Sequence, residues 1–434
     1  VWSSEEEEEA WPSLLALPGR KNLGLGRHWH LMTVPFWVAT GAVYITLVFV
    51  SGYWRDLVPT SWSIFPDAVH DVGIYLTFHL PHEWHGHPFN AAQQLSYFVV
   101  VFVLAPFQVA TGAAMSPAVI GRFPRYAKLF GGRQKARSLH FLGLIAFAVF
   151  VLIHTFMVVI HGLPHEFAGI VLGSYDANQT LALVIGFAGI AGVIALNVAV
   201  TVYSLRHKRQ VQRVLGRLVH PLELTLLRAS HRSTQRYKAH EVSAFYRVNG
   251  YPPDHESYRA LVRDGFRDYR LRVGGLVDDP TEINLDQLRA LGFVRQVTKH
   301  NCIQGWSATA AWGGVPLGAL LDHVSPTAEA RYVVFHALDD KSHTDPQSRP
   351  GYYYGTLPLN VARRPQTILA LEMNGHPLPV EHGAPVRLRM ETQLGFKMVK
   401  WIGAIELVAD YADIGQGQGG WREDTQHYET IAAI

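Results

Sequence analysis

One segment decides how the second half of this chain is interpreted: His300-Asn301-Cys302-Ile303-Gln304-Gly305-Trp306-Ser307, with its continuation Trp312-Gly313-Gly314-Val315-Pro316-Leu317. Cys302 is the only cysteine of the chain, so no intrachain disulfide is available to it. It lies among Gly and Trp residues rather than on an apolar helix face. These observations leave three roles for its thiol: an inert core side chain, a catalytic nucleophile or a metal ligand.

Further blocks follow this segment along the chain. They are Arg331-Tyr332-Val333-Val334-Phe335-His336, Glu372-Met373-Asn374-Gly375, His382-Gly383-Ala384-Pro385-Val386-Arg387 and Gly395-Phe396-Lys397-Met398-Val399-Lys400-Trp401. In this order they resemble the cofactor-binding core of the sulfite oxidase family of molybdopterin enzymes, in the branch that includes bacterial methionine sulfoxide reductases. The resemblance implies a molybdenum bound by pterin sulfurs, oxo groups and the Cys302 thiolate, and a soft thiolate suits such a site.

The same resemblance implies a set of site residues. Cys302 and His336 are expected at the reacting centre, where His336 would bind an anionic substrate or move protons. Cationic and backbone donors are expected around the pterin phosphate and ring edges. The residues expected to bind the cofactor, besides Cys302, are Ser243, Tyr246, Arg247, Ala337, His382, Arg387, Met398, Val399 and Lys400. His336 and His382 replace residues typical of the reductase branch, so the substrate stays open.

Composition divides the chain into a membrane part and a soluble part. Hydrophobic residues make up 48% of the 434 residues and charged residues only 17%, with the charges concentrated in the second half. Crossing a bilayer takes about 20 apolar residues. Four segments meet this requirement without any Asp, Glu, Lys or Arg: Leu31 to Val50, Ala92 to Met115, Leu139 to Ile160 and Thr180 to Leu205.

Basic residues predict how the spans are oriented. They cluster after the second span, from Arg122 to Arg137, and after the fourth, from Arg206 onward. Positive residues stay on the cytoplasmic side, so both termini and the molybdopterin domain are expected on the cytoplasmic face of the inner membrane. The acidic run from Glu5 to Glu9 and the absence of an apolar segment before Gly26 predict no secretory signal.

Histidines in the apolar spans predict haem. His140 and His154 lie 14 residues apart on one helix, roughly four turns and about 21 Å, so both face the same way at opposite depths. This spacing suits axial ligands of two stacked haems. The segments Ala136 to Phe141, Phe89 to Tyr97 with Thr111-Gly112, and Arg27 to His30 resemble the cytochrome b subunits of formate dehydrogenases and nickel hydrogenases.

That resemblance implies that His30 and His140 ligate one haem b. A second haem at His154 would take its other ligand from the outer connection, with His79 preferred and His70 as the alternative, so either one or two haems are expected. Residues 206–240 are basic, with Leu215, Leu218, Leu222 and Leu226 at helical spacing. This pattern predicts an amphipathic helix on the anionic leaflet rather than a nucleic-acid site.

The predicted architecture is a multidomain chain: a tail (1–29), a four-helix transmembrane cytochrome b bundle (30–205), a basic linker (206–240) and an α+β sulfite-oxidase-type molybdopterin domain (241–434). The predicted function is electron exchange between a small oxo-transfer substrate and the quinone pool, in the direction of either a sulfite dehydrogenase or a sulfoxide reductase. A redox protein is a further candidate partner. The alternatives are a non-catalytic electron conduit and an enzyme with Cys302 as nucleophile.

Overall fold

The computed structural model describes residues 23–77, 79, 81, 88–116, 119, 123–218, 237–303, 306–341, 351–426 and 428. The predictions for residues 1–22 and for the second part of the linker, 219–236, lie outside this range. The described chain forms two compact units. One comprises residues 30–115 and 130–207, and the other comprises 116–129 and 208–434.

The first half of the chain is built from helices. Their bounds are α1 Leu23–Val50, α2 Trp54–Leu57, α3 Ile64–Leu76, α4 Ala91–Phe98, α5 Ala105–Met115, α6 Pro124–Leu129, α7 Arg133–Ile160, α8 Leu163–Leu172 and α9 Gln179–Arg206. A π-helical segment, Val99–Leu104, joins α4 to α5 without a break. Asn90 begins α4 with a capping box, because its side chain accepts from the Gln93 amide and the Gln93 side chain accepts from the Asn90 amide.

Among the described residues, four stretches are long and apolar enough to cross a membrane: Trp29–Val50, Ala91–Met115, Lys135–Ile160 and Gln179–Arg206. They confirm the four predicted spans in number and place. In each, at most 11% of the most apolar window is buried inside the protein. The exposed remainder is an apolar surface of the kind that lipid covers.

The second unit holds two mixed sheets, which confirms the predicted α+β domain. Its strands are β1 Leu271–Gly275, β2 Thr281–Ile283, β3 Val294–Asn301, β4 Ser307–Pro316, β5 Tyr332–Asp340, β6 Tyr352–Pro358, β7 Ile368–Met373, β8 His376–Pro377, β9 Arg387–Arg389 and β10 Ile402–Val408. One sheet has the order β2-β1-β10-β5-β6, and the other has β3-β4-β7-β8 with β9 also paired to β7. The β1–β10 pair is parallel.

Helices and short turns complete this unit. The helices are α10 at residues 208–218, α11 Glu256–Arg263, α12 Leu285–Ala290, α13 Leu317–Val324, α14 Leu359–Ala362 and α15 Trp421–Gln426. The main core is aliphatic and includes Leu271, Phe335, Leu388 and Ile405, all at most 1% exposed. Strand β9 differs from the half-buried strand that alternation predicts, because Arg387 and Arg389 are buried as well.

The linker helix α10 also differs from its prediction. Leu215 was expected against a membrane leaflet, but it is buried within the second unit together with Val211. Arg209 donates from Nη1 to the Glu423 carbonyl at 2.7 Å and from Nη2 to the Asp424 carbonyl at 2.6 Å. Arg209 therefore fastens α10 to α15.

Candidate functional site

A cavity lies next to the segment that carries Cys302. Two blocks predicted from sequence contribute to its wall, the first through Tyr246 and Arg247 and the second through Met398, Lys400 and Trp401. The full lining is Tyr246, Arg247, Asn249, Gly250, His300, Ile303, Trp306, Asp339, Lys341, Tyr353, His382, Arg387, Gly395, Phe396, Met398, Lys400, Trp401 and Arg422. Cations outnumber carboxylates in this lining, so the cavity suits an anionic group.

Cys302 lies where β3 turns back into β4, and its side chain is only 1% exposed. Its amide donates to the Trp306 carbonyl at 3.0 Å, which closes a tight turn beside the cavity. Asn249 Nδ2 donates to its Sγ at 3.5 Å. A hydrogen bond to sulfur stabilises the thiolate form, which is the form that binds metals.

Two buried guanidinium groups lie close to the Trp312 ring. The Cζ atoms of Arg387 and Arg389 are 4.9 and 4.6 Å from the ring centre. Both arginines point the same way because they are two residues apart on β9, while Leu388 between them enters the aliphatic core. Burial lowers the pKa of Arg387 to about 10, below the usual range of a guanidinium. The pocket floor is thus strongly positive.

Two buried donors on residues that line the cavity have no hydrogen-bond partner among the described residues: the Tyr246 hydroxyl and Arg387 Nε. Buried polar groups are nearly always paired in folded proteins. Both residues line the cavity, so a bound group that offers hydrogen-bond acceptors would satisfy them. A pterin with a phosphate meets this requirement, and the donor set therefore fits the cofactor implied by the sequence.

His382 and Lys400 form the rim. Burial, Arg387 and Lys400 lower the pKa of His382 to about 4, so its imidazole is neutral near pH 7. Lys400 donates to the carbonyls of Asn249 and Glu381, the latter at 3.0 Å, and its Nζ is 3.9 Å from the Trp401 ring centre. This ammonium therefore ties the segment that contains Asn249 to the rim.

Five residues predicted for the molybdopterin site do not line the cavity: Cys302, which lies next to it, and Ser243, His336, Ala337 and Val399. Ser243 instead anchors its segment to β4, since its hydroxyl accepts from the Thr309 amide at 2.9 Å. Ala337 and Val399 are buried in the strand packing. His336 points away because side chains alternate along β5, and its Nε2 lies 2.9 Å from Glu406 Oε2 on β10.

Several cavity residues were missed by sequence reasoning: Asn249, Asp339, Lys341, Tyr353 and Arg422. Asn249 lies only two residues beyond the predicted Arg247, so the predicted block ended two residues too early. Asp339 lies near the end of β5, and Lys341 directly follows that strand. In the sequence, both resemble ordinary surface charges. His300 also lines the cavity, and its Nδ1 lies 3.1 Å from Arg389 Nη1.

The glycine run from Gly415 to Gly420 folds around the carboxylate of Asp424, close to Arg422 of the cavity wall. The amides of Gln416 and Gln418 donate to the two carboxylate oxygens of Asp424, at 2.9 and 3.2 Å. A Cβ on Gly415 would come within 2.5 Å of Asp424 Oδ2. The glycines therefore let the loop close around a buried carboxylate at the start of α15.

In the membrane unit, His30 and His140 face each other. Their ring centres are 6.5 Å apart and their planes are perpendicular. Thr111 Oγ1 lies 3.1 Å from His140 Nδ1, and a Cβ on Gly112 would lie 3.3 Å from the same ring. The Thr-Gly pair of α5 thus orients this imidazole and leaves room for it.

His154 lies two turns short of the end of α7. Its described ring contacts are Phe150, stacked at 5.5 Å, and Tyr97 at 6.1 Å, and they do not include His79. His79 is exposed, with its Nδ1 3.1 Å from the Thr77 hydroxyl. His161 Nε2 is buried without a partner among the described residues, and its ring centre is 6.2 Å from that of Tyr75. The structure brings His30 and His140 together, but not His79 and His154.

Comparison with known proteins assigns both halves. Residues 259–413 match the model of the oxidoreductase molybdopterin binding domain, and residues 4–173 match the model of prokaryotic cytochrome b561. The chain is 40% identical over 156 residues to YedZ1 of Azospira oryzae, a proposed protein-methionine-sulfoxide reductase subunit, a match covering 36% of this chain and 53% of that protein. It is 36% identical over 149 residues to MsrP of Xanthomonas axonopodis pv. citri, a protein-methionine-sulfoxide reductase catalytic subunit, covering 32% and 45%.

The chain spans about half the length of the curated relatives it matches. Among solved structures it is similar to the sulfane dehydrogenase SoxCD of Paracoccus pantotrophus, at 22% identity and a TM-score of 0.29, over 33% of this chain and 39% of that chain. The two family models cover separate parts of the chain, and each falls on the half whose residues predict the same cofactor. One part of the chain is therefore similar to prokaryotic cytochrome b561, and another part is similar to the oxidoreductase molybdopterin binding domain.

Proposed function

We propose that this protein is a membrane-bound molybdenum oxidoreductase that takes electrons from the quinone pool through haem b and reduces a small oxo-bearing substrate. The observation that carries the proposal is the cationic cavity beside Cys302, with its unpaired Tyr246 hydroxyl and Arg387 Nε. The names of the relatives favour the reductive direction and a sulfoxide as the substrate class.

The residues around the cavity have distinct tasks in this proposal. Cys302 would bind molybdenum through its thiolate, and Asn249 would hold that thiolate in place. Arg387, Tyr246 and Lys400 would bind the pterin and its phosphate. When bound, the molybdopterin supplies oxygen-atom transfer coupled to two electrons. The protein's own contribution is to hold the substrate in a positively charged cavity.

The haem proposal rests on the geometry of His30 and His140. An imidazole nitrogen binds a transition metal at roughly 2 Å, so two histidines that would share one iron need ring centres roughly 6 Å apart. The 6.5 Å separation of these two rings agrees with that spacing. We assign one haem b to this pair. A second haem at His154 is not part of the proposal, since His79 does not reach it.

For the membrane orientation, we propose that the molybdopterin domain lies on the cytoplasmic side. Arg206, Lys208 and Arg209 directly follow the fourth span, and positive residues are retained in the cytoplasm. Proteolysis of sealed membrane vesicles tests this. The domain should be digested in inside-out vesicles and protected in right-side-out vesicles, and the reverse pattern would place it outside.

The function is tested on detergent-purified full-length protein. Molybdenum and haem iron are measured per chain, with about one of each expected from the ligand sets. The haem is then reduced chemically, and methionine sulfoxide is added while the haem spectrum is followed. Reoxidation that depends on the sulfoxide supports the proposal.

Cys302→Ser is the matched variant for the reacting centre, because it keeps the size of the side chain and removes the soft ligand. It should lose sulfoxide-dependent reoxidation and keep the haem spectrum. Full haem without molybdenum in the wild-type protein, when cofactor supply is adequate, would instead indicate a non-catalytic electron conduit.

A further inference from the structure

The end of strand β5 carries an ion pair that the proposed cofactor ligands do not use. Asp339 and Lys341 both line the cavity, and Asp339 Oδ2 lies 2.6 Å from Lys341 Nζ. The two side chains are only 3% and 11% exposed. The Lys341 ammonium also faces the rings of Tyr353 and Trp421, at 5.6 and 5.9 Å from their centres. The pair is therefore held firmly in the wall.

One carboxylate oxygen of this ion pair makes no hydrogen bond to the described residues. Asp339 Oδ1 is buried and has no hydrogen-bond partner among the described residues. Burying a charged pair is costly, and leaving one of its oxygens unpaired adds to that cost. Replacing such a pair with apolar residues is often neutral or stabilising, so the stability of the fold does not explain it. An unpaired carboxylate oxygen in a cavity wall is instead available to a ligand.

The proposed reaction needs such a group. Reduction of an oxo-bearing substrate consumes two electrons and two protons and releases the substrate without its oxygen, together with one water molecule. The haem domain supplies the electrons, but the protons must enter the cavity. A side chain that is within reach of the substrate and ionises readily usually performs this transfer.

Other titratable groups of the wall suit the task poorly. The neutral His382 has a pKa lowered to about 4 by burial and by nearby cations, so it carries no proton to give near pH 7. Burial raises the pKa of Tyr353, and its hydroxyl already donates to the Phe396 carbonyl at 2.6 Å. Lys400 is bonded to two carbonyls, and the guanidinium groups stay protonated.

We propose that Asp339 is the acid–base residue that passes protons between solvent and the substrate in this cavity, and that Lys341 positions it. This inference rests on the proposed function. Asp339 takes up a proton from water and donates it from Oδ1 to the departing oxygen, and two such transfers with two electrons yield water. Lys341 holds Oδ2 and leaves Oδ1 as the oxygen that exchanges the proton, and the ion pair reforms after each transfer.

The test compares Asp339→Asn with Asp340→Asn in the full-length protein. Asp340 is the next residue of β5, carries the same charge and is not part of the cavity lining. Positioned general acids contribute roughly 10²- to 10⁴-fold in rate. We expect Asp339→Asn to lower kcat for methionine-sulfoxide-dependent haem reoxidation at least about 10-fold on that scale. Its KM, molybdenum content and haem content should stay unchanged, and Asp340→Asn should remain within about twofold of wild type, since it removes no proton donor from the cavity.

A second variant separates proton transfer from a structural role. Asp339→Ala leaves space for a small acid, so added formate or acetate should restore its rate in a concentration-dependent way and leave wild type unaffected. Full activity in Asp339→Asn, loss of molybdenum from both variants, or no recovery with either acid would overturn the inference. Wild-type protein that is not reoxidised by the sulfoxide would overturn the proposed function itself, which is a different result.

Discussion

The buried ion pair between Lys397 and Glu423 leads to a quantitative prediction. The two side chains are 1% and 2% exposed and bonded at 2.5 Å, and they join the cavity-wall turn Gly395–Lys397 to α15. Burial raises the pKa of Glu423, and the Lys397 ammonium opposes that rise. Replacing Lys397 alone with Met leaves a buried carboxylate without its cation, which typically destabilises a protein by about 3–5 kcal/mol.

For a unit of this size, each kcal/mol shifts the midpoint of thermal unfolding by about 2–4 °C, so Lys397→Met should lower it by roughly 6–20 °C. The double variant Lys397→Met, Glu423→Leu should recover most of that loss, because an apolar pair of similar volume replaces the ion pair. The assay is thermal unfolding of the purified protein, followed by tryptophan fluorescence, with molybdenum content measured in parallel.

The matched control is the exposed ion pair of Arg259 with Asp254, whose side chains are 54% and 76% exposed at 2.7 Å. Arg259→Met should change stability by no more than about 1 kcal/mol. If Lys397→Met proved no more harmful than Arg259→Met, or if the double variant were as unstable as the single one, the reasoning from burial would be refuted.

Three further predictions concern other parts of the chain. Gly314→Ala should destabilise the domain strongly, because its Cβ would lie 2.2 Å from the Leu369 carbonyl oxygen, and thermal unfolding measures this. Burial raises the pKa of Glu391 from 4.5 to about 7, so the native state binds that proton more tightly and the free energy of unfolding should fall as pH rises through this range. Glu391→Gln should remove this pH dependence, which amounts to a change of up to about 3 kcal/mol in the free energy of unfolding. Urea titrations at several pH values across that range measure it. His140→Ala should abolish the haem spectrum, whereas Thr111→Val should retain haem with an altered spectrum, as measured in detergent.

Sequence alone predicted the membrane half well, because a span is a property of consecutive residues. The second span was predicted from Ala92 to Met115 and is found at Ala91–Met115, since apolar length fixes both ends. The pairing of His30 with His140 followed from a motif on each helix. The failure at His79 has a physical reason: a loop histidine is placed by tertiary packing, which no local pattern encodes.

In the molybdopterin domain, the residues near Cys302 and on β9 were found because their blocks are contiguous. His336 does not line the cavity, since a one-residue change of parity on a strand sends a side chain to the other face. Asp339, Lys341 and Glu423 were missed for another reason. Each of these charges is buried beside an oppositely charged partner that lies 2 or 26 residues away in the chain. In the sequence, such a charge cannot be told from a solvated one.

The position of β10 constrains how this protein is made. The strand lies in the middle of its sheet, parallel to β1 and antiparallel to β5, and Ala404 pairs with Arg272 far back in the chain. On the ribosome, all four spans emerge long before residues 402–408 complete this sheet. The domain must therefore fold after its membrane anchor has been inserted, with its core open until then. A chain stalled at residue 398 should be digested by protease throughout the domain, whereas one stalled well beyond residue 428 should be protected.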